Sequence, residues 1–185
     1  LKRDGSVEIL IYHTHTTEAF QGETRTQDNS RNVVAVGDEI EKKLKAAGYG
    51  VVHDTTCHDY PSYNGSYDRS GETIQRNLEK YPGIQVTLDI HRDALGSSDN
   101  RIKPTVVING KKAAQIMVVS GCDDNGQLGF PDWEYNLRLA VRIQRSVSDL
   151  YPTLARPLHF CPKKYNEHMT RGSLLVEFGT DGSTL

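Results

Sequence analysis

The chain holds 185 residues with a formal net charge of −2. That length suits one domain with a real core, since such a chain hides about 70% of its unfolded surface. The charges are mixed along the chain, which excludes the basic stripe of a nucleic-acid binder. No apolar run approaches the roughly 18–20 residues that span a membrane, and the opening residues form no signal peptide. Leu1 stands almost directly before a strand, which reads as the start of a fragment of a longer protein. Cys57, Cys122 and Cys161 match no zinc-knuckle or redox spacing, and are read as buried free thiols.

In chain order, the short β-branched run 7–12 reads as a buried strand. The polar stretch 13–30 has no apolar periodicity and reads as a long loop, which in a small domain is more often functional than idle. Residues 31–47 predict a helix, with Val33, Val36, Ile40, Leu44 and Ala47 on one face, Asn29 or Ser30 as its cap and Gly48 as its stop. A second strand is predicted over 49–53, a tyrosine-rich surface loop over 57–70 and a shorter helix over 71–80. Residues 85–90 predict a third strand with His91, Arg92 and Asp93 at its carboxyl end. Asn109-Gly110 suits a tight hairpin turn between 105–108 and 112–119, extending one edge of the sheet. Asp132 caps a predicted helix running to about Leu150, with Leu137, Ala140, Ile143, Val147 and Leu150 along one side. Short and final strands are predicted at 158–160 and 174–178. The alternation of strands and helices predicts a single α/β domain, a mostly parallel twisted sheet with helices on both faces.

In such sheets ligands gather at the carboxyl ends of strands. The first strand runs into His13 and His15, the third into His91, and the last carries Glu177 near its end. His15 and Glu18 have the spacing H-x-x-E, almost one helical turn, so both side chains can face one point. Two histidines and a glutamate, His15, His91 and Glu18, make a catalytic zinc set that leaves a fourth position for water. A carboxylate that does not hold the ion must still move protons. Glu177, set in a run of Leu, Val and Phe, is the candidate.

Plainer readings stand beside these. His91 can be a hydrogen-bonded structural histidine, and Glu177 can be a buried ion-pair partner of Arg171. His13 can be a ligand itself, but is read as a group that steadies the ligands from behind, because only His15 has the H-x-x-E partner. Arg92 and Arg171 are read either as substrate or oxyanion binders or as ion-pair partners of Asp89, Asp93 or Glu177. His53, His58, His159 and His168 are read as surface or structural, with His168 near enough in sequence to Glu177 to line the pocket.

Three segments, "ILIYHTHTTEAF", "LDIHRDA" and "LLVEFGT", resemble the signature segments of the stage II sporulation protein P family, in order and over most of the chain. The resemblance implies a fold similar to the zinc-dependent N-acetylmuramoyl-L-alanine amidases. It implies peptidoglycan as substrate, cut at the amide between muramic acid and the first L-alanine, with endopeptidase action on peptide cross-links, during engulfment of the forespore. It implies Zn2+ as cofactor, ligands in the first histidine segment and at His91, and Glu177 as catalytic glutamate. Its expected partner is stage II sporulation protein D, a lytic transglycosylase. Its expected place is outside the cytoplasm, between the mother-cell and forespore membranes, held by an anchor that this chain lacks. One departure stands out. The amidases take their glutamate ligand from the start of the helix after the first strand, where this chain reads Asp28-Asn29-Ser30-Arg31. Glu18 is the natural substitute, with Glu23 and Asp28 as alternatives.

Two rival functions follow from the same residues. A zinc carboxypeptidase-like enzyme would use the same donors on glycan-free peptides. A non-catalytic module would instead grip cell wall, using the tyrosines of residues 60–67 against sugar rings, and recruit or activate the transglycosylase.

Overall fold

The computed structural model describes residues 1–21 and 23–185. Its elements are β1 (Val7–Tyr12), α1 (Val33–Ala46), β2 (Gly50–His53), α2 (Ser66–Lys80), β3 (Val86–Asp93), β4 (Gly96–Ser97) and β5 (Asn100–Arg101). There follow β6 (Thr105–Ile108), β7 (Lys111–Ala114), β8 (Ile116–Gly121), α3 (Trp133–Leu150), β9 (His159–Cys161), a 3-10 turn (Glu167–Met169) and β10 (Ser173–Thr180). Six strands form the main sheet in the order β2-β1-β3-β10-β8-β9. The first four are parallel, β8 is antiparallel to β10, and β9 is parallel to β8.

β1 is buried at every position after its first, as a central strand covered on both faces must be. Ile9, Ile11, Ile90 and Val176 pack against Val36, Ile40 and Leu44 of α1. Val118 and Leu174 pack against Ala140, Leu139 and Ile143 of α3. Leu88 touches both groups, so α1 and α3 share one face. The alternate side chains Leu10 and Tyr12 meet Ile74 and Leu78 of α2 on the other. The predicted helix-flanked, mostly parallel sheet is therefore present.

Several boundaries differ for physical reasons. Asn32, not Asn29 or Ser30, caps α1, its side chain accepting from the Val34 amide. α2 begins at Ser66 rather than 71. Its first turns bury Ser66, Ser70 and Thr73, whose hydroxyls are all hydrogen-bonded, so the buried face carries no apolar period to read. β3 runs on through His91 to Asp93. The segment predicted as one strand over 112–119 is two: β7 pairs with β6 in a separate hairpin, and β8 enters the main sheet. Leu150, expected on the buried side of α3, is 72% exposed in its last turn.

Gly37 lies on the buried face of α1, where the rings of His13 and His53 press against the helix. A Cβ there would stand 2.6 Å from His53 Nε2 and 3.0 Å from His13 Cε1. Gly37→Ala should therefore destabilise the protein by about 1–3 kcal/mol through overpacking, despite a gain of up to ~1 kcal/mol in helix propensity. Urea unfolding measures this, and an unchanged or raised midpoint contradicts the close packing.

Candidate active site

β1 ends at Tyr12 and the chain turns sharply. The turn is built from threonine hydroxyls and buried acceptors. Thr14 donates its amide to Asp89 Oδ1 at 2.8 Å and its hydroxyl to Asp89 Oδ2 at 2.6 Å. Thr17 donates amide and hydroxyl to Asp59, which also pairs with Arg25. The Glu18 amide donates to the His15 carbonyl at 3.1 Å, closing the turn that puts His15 and Glu18 on one side.

Glu18 Oε2 lies 3.3 Å from His91 Nδ1 and accepts from the Arg92 amide at 3.1 Å. His91 Nε2 lies 2.8 Å from Asp89 Oδ1, close enough for charge attraction but off the line of a hydrogen bond. Burial opposes charge on all three groups. The mutual attraction outweighs it, raising the pKa of His91 and lowering those of Glu18 and Asp89. His15 sits beside this pair, its ring 5.4 Å from that of His91 and perpendicular to it. It stacks on Tyr63 at 4.4 Å and meets Tyr67 edge-on at 5.6 Å. His15 Nδ1 is buried without a hydrogen-bond partner among the described residues, and burial, then the neighbouring His91, lowers the ring's pKa. Two imidazoles and a carboxylate are a zinc-type donor set, and a buried nitrogen without a hydrogen-bond partner is chemically fit to join it. The set is open. Among the described residues, the group whose donor atoms all come within 4.8 Å of one another is a different one, Asp38, Glu41 and His53.

Glu177 on β10 stands in register with His91 on β3. Its carboxylate is 3.4 Å from Arg156 Nη2, which also pairs with Asp93 at 2.8 Å. Burial and then the Asp93 charge push the Glu177 carboxyl up to about 8, against the pull of His91 and Arg156. Glu177, Asp93, His91, His15 and Glu18 line a cavity of 410 Å³ walled by Tyr63, Tyr67, Tyr165 and His159.

His13 is fully buried and turned from this cavity toward α1, bonded to the Ile90 carbonyl and to His53, so it does not share a side with His15. Burial pulls its pKa down to about 3. Arg92 is buried with its guanidinium spent on the carbonyls of Ala19, Thr24 and Asp93, so it ties down the 13–30 loop rather than pairing with a carboxylate. Arg171 is a correction: it lies just before β10, at the opposite end from Glu177, exposed and paired with Asp132 at 3.0 Å. Arg156 takes the part expected of it beside Glu177. Of the alternative acids, Glu23 pairs with Arg31 and Asp28 bonds Ser30, which leaves Glu18 at His91. His168 lies against Phe130, outside the cavity, whereas His159 lines it. The sequence reading missed Arg156, Asp89, Tyr165 and His159. Asp89 alone carried a signal, an acid alternating with His91 on a buried strand. The three cysteines are free, but only Cys122 is fully buried and Cys57 is exposed, so the buried-thiol reading holds for one of them.

The same fold occurs in the CwlD amidase of Clostridioides difficile, solved in complex with the GerS lipoprotein. The two superpose with a TM-score of 0.55 at 11% identity, over 94% of this chain and 82% of that one. The family model for Stage II sporulation protein P (SpoIIP) matches residues 2–185, and the chain belongs to that family. Stage II sporulation protein P of Bacillus subtilis (strain 168) is 29% identical over 191 aligned residues, which cover 92% of this chain. The chain spans 45% of that relative's length.

Behind the cavity, Glu167 is almost wholly buried, with Oε2 accepting from the Gly121 amide and Oε1 unpartnered among the described residues. Burial raises its pKa from 4.5 to about 8. The folded state then holds a proton that the unfolded chain has released, so this group's contribution to stability is full below pH 4.5 and is lost as pH rises to about 8, by up to roughly 1.4 kcal/mol per pH unit. Glu167→Gln removes this dependence. Urea unfolding at pH 5 and pH 8.5 should show a smaller difference in the variant, and an equal difference in both proteins refutes the assignment.

Proposed function

We propose that the chain is a zinc-dependent peptidoglycan hydrolase that cleaves the N-acetylmuramoyl-L-alanine amide. In this reading His15, Glu18 and His91 hold the ion, and Glu177 moves the proton. The observation that carries it is the orphaned, buried His15 Nδ1 beside the His91–Glu18 pair, in a cavity that also holds a raised-pKa carboxyl. His91 and Glu18 already touch, and the His15 ring stands 5.4 Å from that of His91. Bound zinc supplies a Lewis acid and lowers the pKa of its water.

The chain's own residues do the rest. A Glu177 carboxyl near pKa 8 can take and return a proton close to neutral pH. Arg156, bridging Asp93 and Glu177, fixes where that carboxyl points. Tyr63, about half exposed at the rim, offers a ring face to a sugar or a stem peptide.

Family membership and the amidase fold support a role in remodelling wall during sporulation. We extend the same reading to peptide cross-links as a second substrate and to the transglycosylase stage II sporulation protein D as partner. The expected place is outside the cytoplasm, in the space between the two membranes. No helix among the described residues is long and apolar enough to cross a membrane.

Purified peptidoglycan and defined muropeptides test the reading. The wild type should release glycan stripped of peptide, lose activity on chelation and regain it with Zn2+. Glu177→Gln should cut at least ~100-fold more slowly. Equal cleavage of glycan-free peptides would point to the carboxypeptidase-like reading. Wall binding without cleavage, by wild type and variant alike, would leave a binding module.

A further inference from the structure

We propose that Asp38, Glu41 and His53 form a second divalent-metal site, on the far side of the sheet from the candidate active site, suited to a zinc-like transition ion. Asp38 and Glu41 are three residues apart on α1 and share a face. His53, the last residue of β2, points its Nδ1 at both, 3.1 Å from Asp38 Oδ1 and 3.8 Å from Glu41 Oε2. The three donor atoms lie within 4.8 Å of one another. Lys45 pairs with the other Glu41 oxygen, Oε1, at 2.7 Å, which leaves Oε2 facing the histidine.

Two acids on a surface helix would carry nothing alone. The histidine supplies the argument, because its hydrogen bonds fix which nitrogen is bare. A carbonyl oxygen only accepts, so His13 Nδ1, 2.9 Å from the Ile90 carbonyl, carries the hydrogen. A second proton on His13 would place a charge in a fully buried ring with no carboxylate paired to it among the described residues, so His13 Nε2 is a lone pair. His53 Nε2, 2.8 Å away, must then be the donor. The His53 side chain is only 3% exposed, and its remaining nitrogen, Nδ1, is left as a lone pair aimed at two carboxylates.

Three electron-rich atoms facing one another need a cation. A proton would serve, but it would put a full charge on a ring whose side chain is 3% exposed and whose other nitrogen meets only the neutral His13. A divalent ion meets the same three donors without charging the ring. One imidazole and two carboxylates with room for water suit zinc and its neighbours. Such an ion would pin α1 to the end of β2, and through His13 to the Ile90 carbonyl beside His91.

Metal-stripped protein titrated with Zn2+ alone, with calorimetry and elemental analysis counting the ions, tests this. The wild type should bind two ions per chain. Asp38→Asn/Glu41→Gln should bind one and keep its wall cleavage, while His91→Ala should keep the ion at Asp38. Both substitutions in the double variant are isosteric, at an exposed Asp38 and a partly buried Glu41, and a circular dichroism melt confirms its folding. Zn2+ should raise the Tm of His91→Ala and lose that effect when Asp38 and Glu41 are also changed. If the double variant binds as many ions as the wild type with unchanged affinity, the proposal is overturned. If the wild type binds a single ion that the double variant loses and His91→Ala retains, this site stands and the proposed catalytic metal falls.

Discussion

A carboxylate sealed inside a sheet must find donors, and Asp89, wholly buried on β3, finds them on the turn that follows β1. Thr14 gives it an amide and a hydroxyl, and His91 faces it two positions further along the same strand. Removing one partner of such a group leaves a buried charge uncompensated, at a cost of about 3–5 kcal/mol. That penalty holds the turn in one shape. His15 and Glu18 owe their position to it, because the turn carries them and β3 carries the residue they meet. Asp59 repeats the device one step outward, gathering Thr17 and Arg25. Arg25 in turn lies over Tyr63, the ring stacked on His15.

What the sequence disclosed was whatever has a period or sits next to itself in the chain. The apolar face of α1, the strands around Ile11, Ile90 and Val176, and the His15–Glu18 turn all belong to this class. So does the convergence of β1, β3 and β10 at one mouth, which follows once the strands are parallel neighbours. The buried start of α2 was illegible because its packing uses hydroxyls bonded across the core in place of aliphatic side chains. His13 and His15 part ways because alternation holds only while the strand lasts. After Tyr12 the chain turns, so His13 faces α1 and His15 faces the cavity. Arg171 looked nearer to Glu177 than Arg156 in sequence, yet a strand separates six residues by about 20 Å.

The two histidine clusters are variations on one electrostatic arrangement. In each, an imidazole nitrogen faces carboxylate oxygen: His91 toward Glu18 on one side of the sheet, His53 toward Asp38 and Glu41 on the other. They differ in what stands behind the ring. Asp89 lies behind His91, so without a metal the ring is drawn to the charged state between two acids. A neutral imidazole, His13, lies behind His53, so nothing on that side favours a proton and burial prevails. A proton and a divalent ion therefore compete on different terms at the two places.

The placement of Arg156 shows how the antiparallel part of the sheet completes the mouth. β1, β3 and β10 deliver residues to their carboxyl ends, as parallel strands do. β8 runs the other way, so its first residues, Ile116 and Met117, lie opposite Phe178 and Glu177. β9 follows β8 in direction, and the segment entering it arrives at the same end, where the Arg156 amide bonds the Ile116 carbonyl. The guanidinium is thereby set between Asp93 and Glu177, the last acid of β3 and the acid near the end of β10. Two carboxylates share one cation, and this shortfall of positive charge, added to burial, keeps the Glu177 carboxyl near 8. An all-parallel sheet would have opened its edge strand at the far end and left both acids facing each other unrelieved.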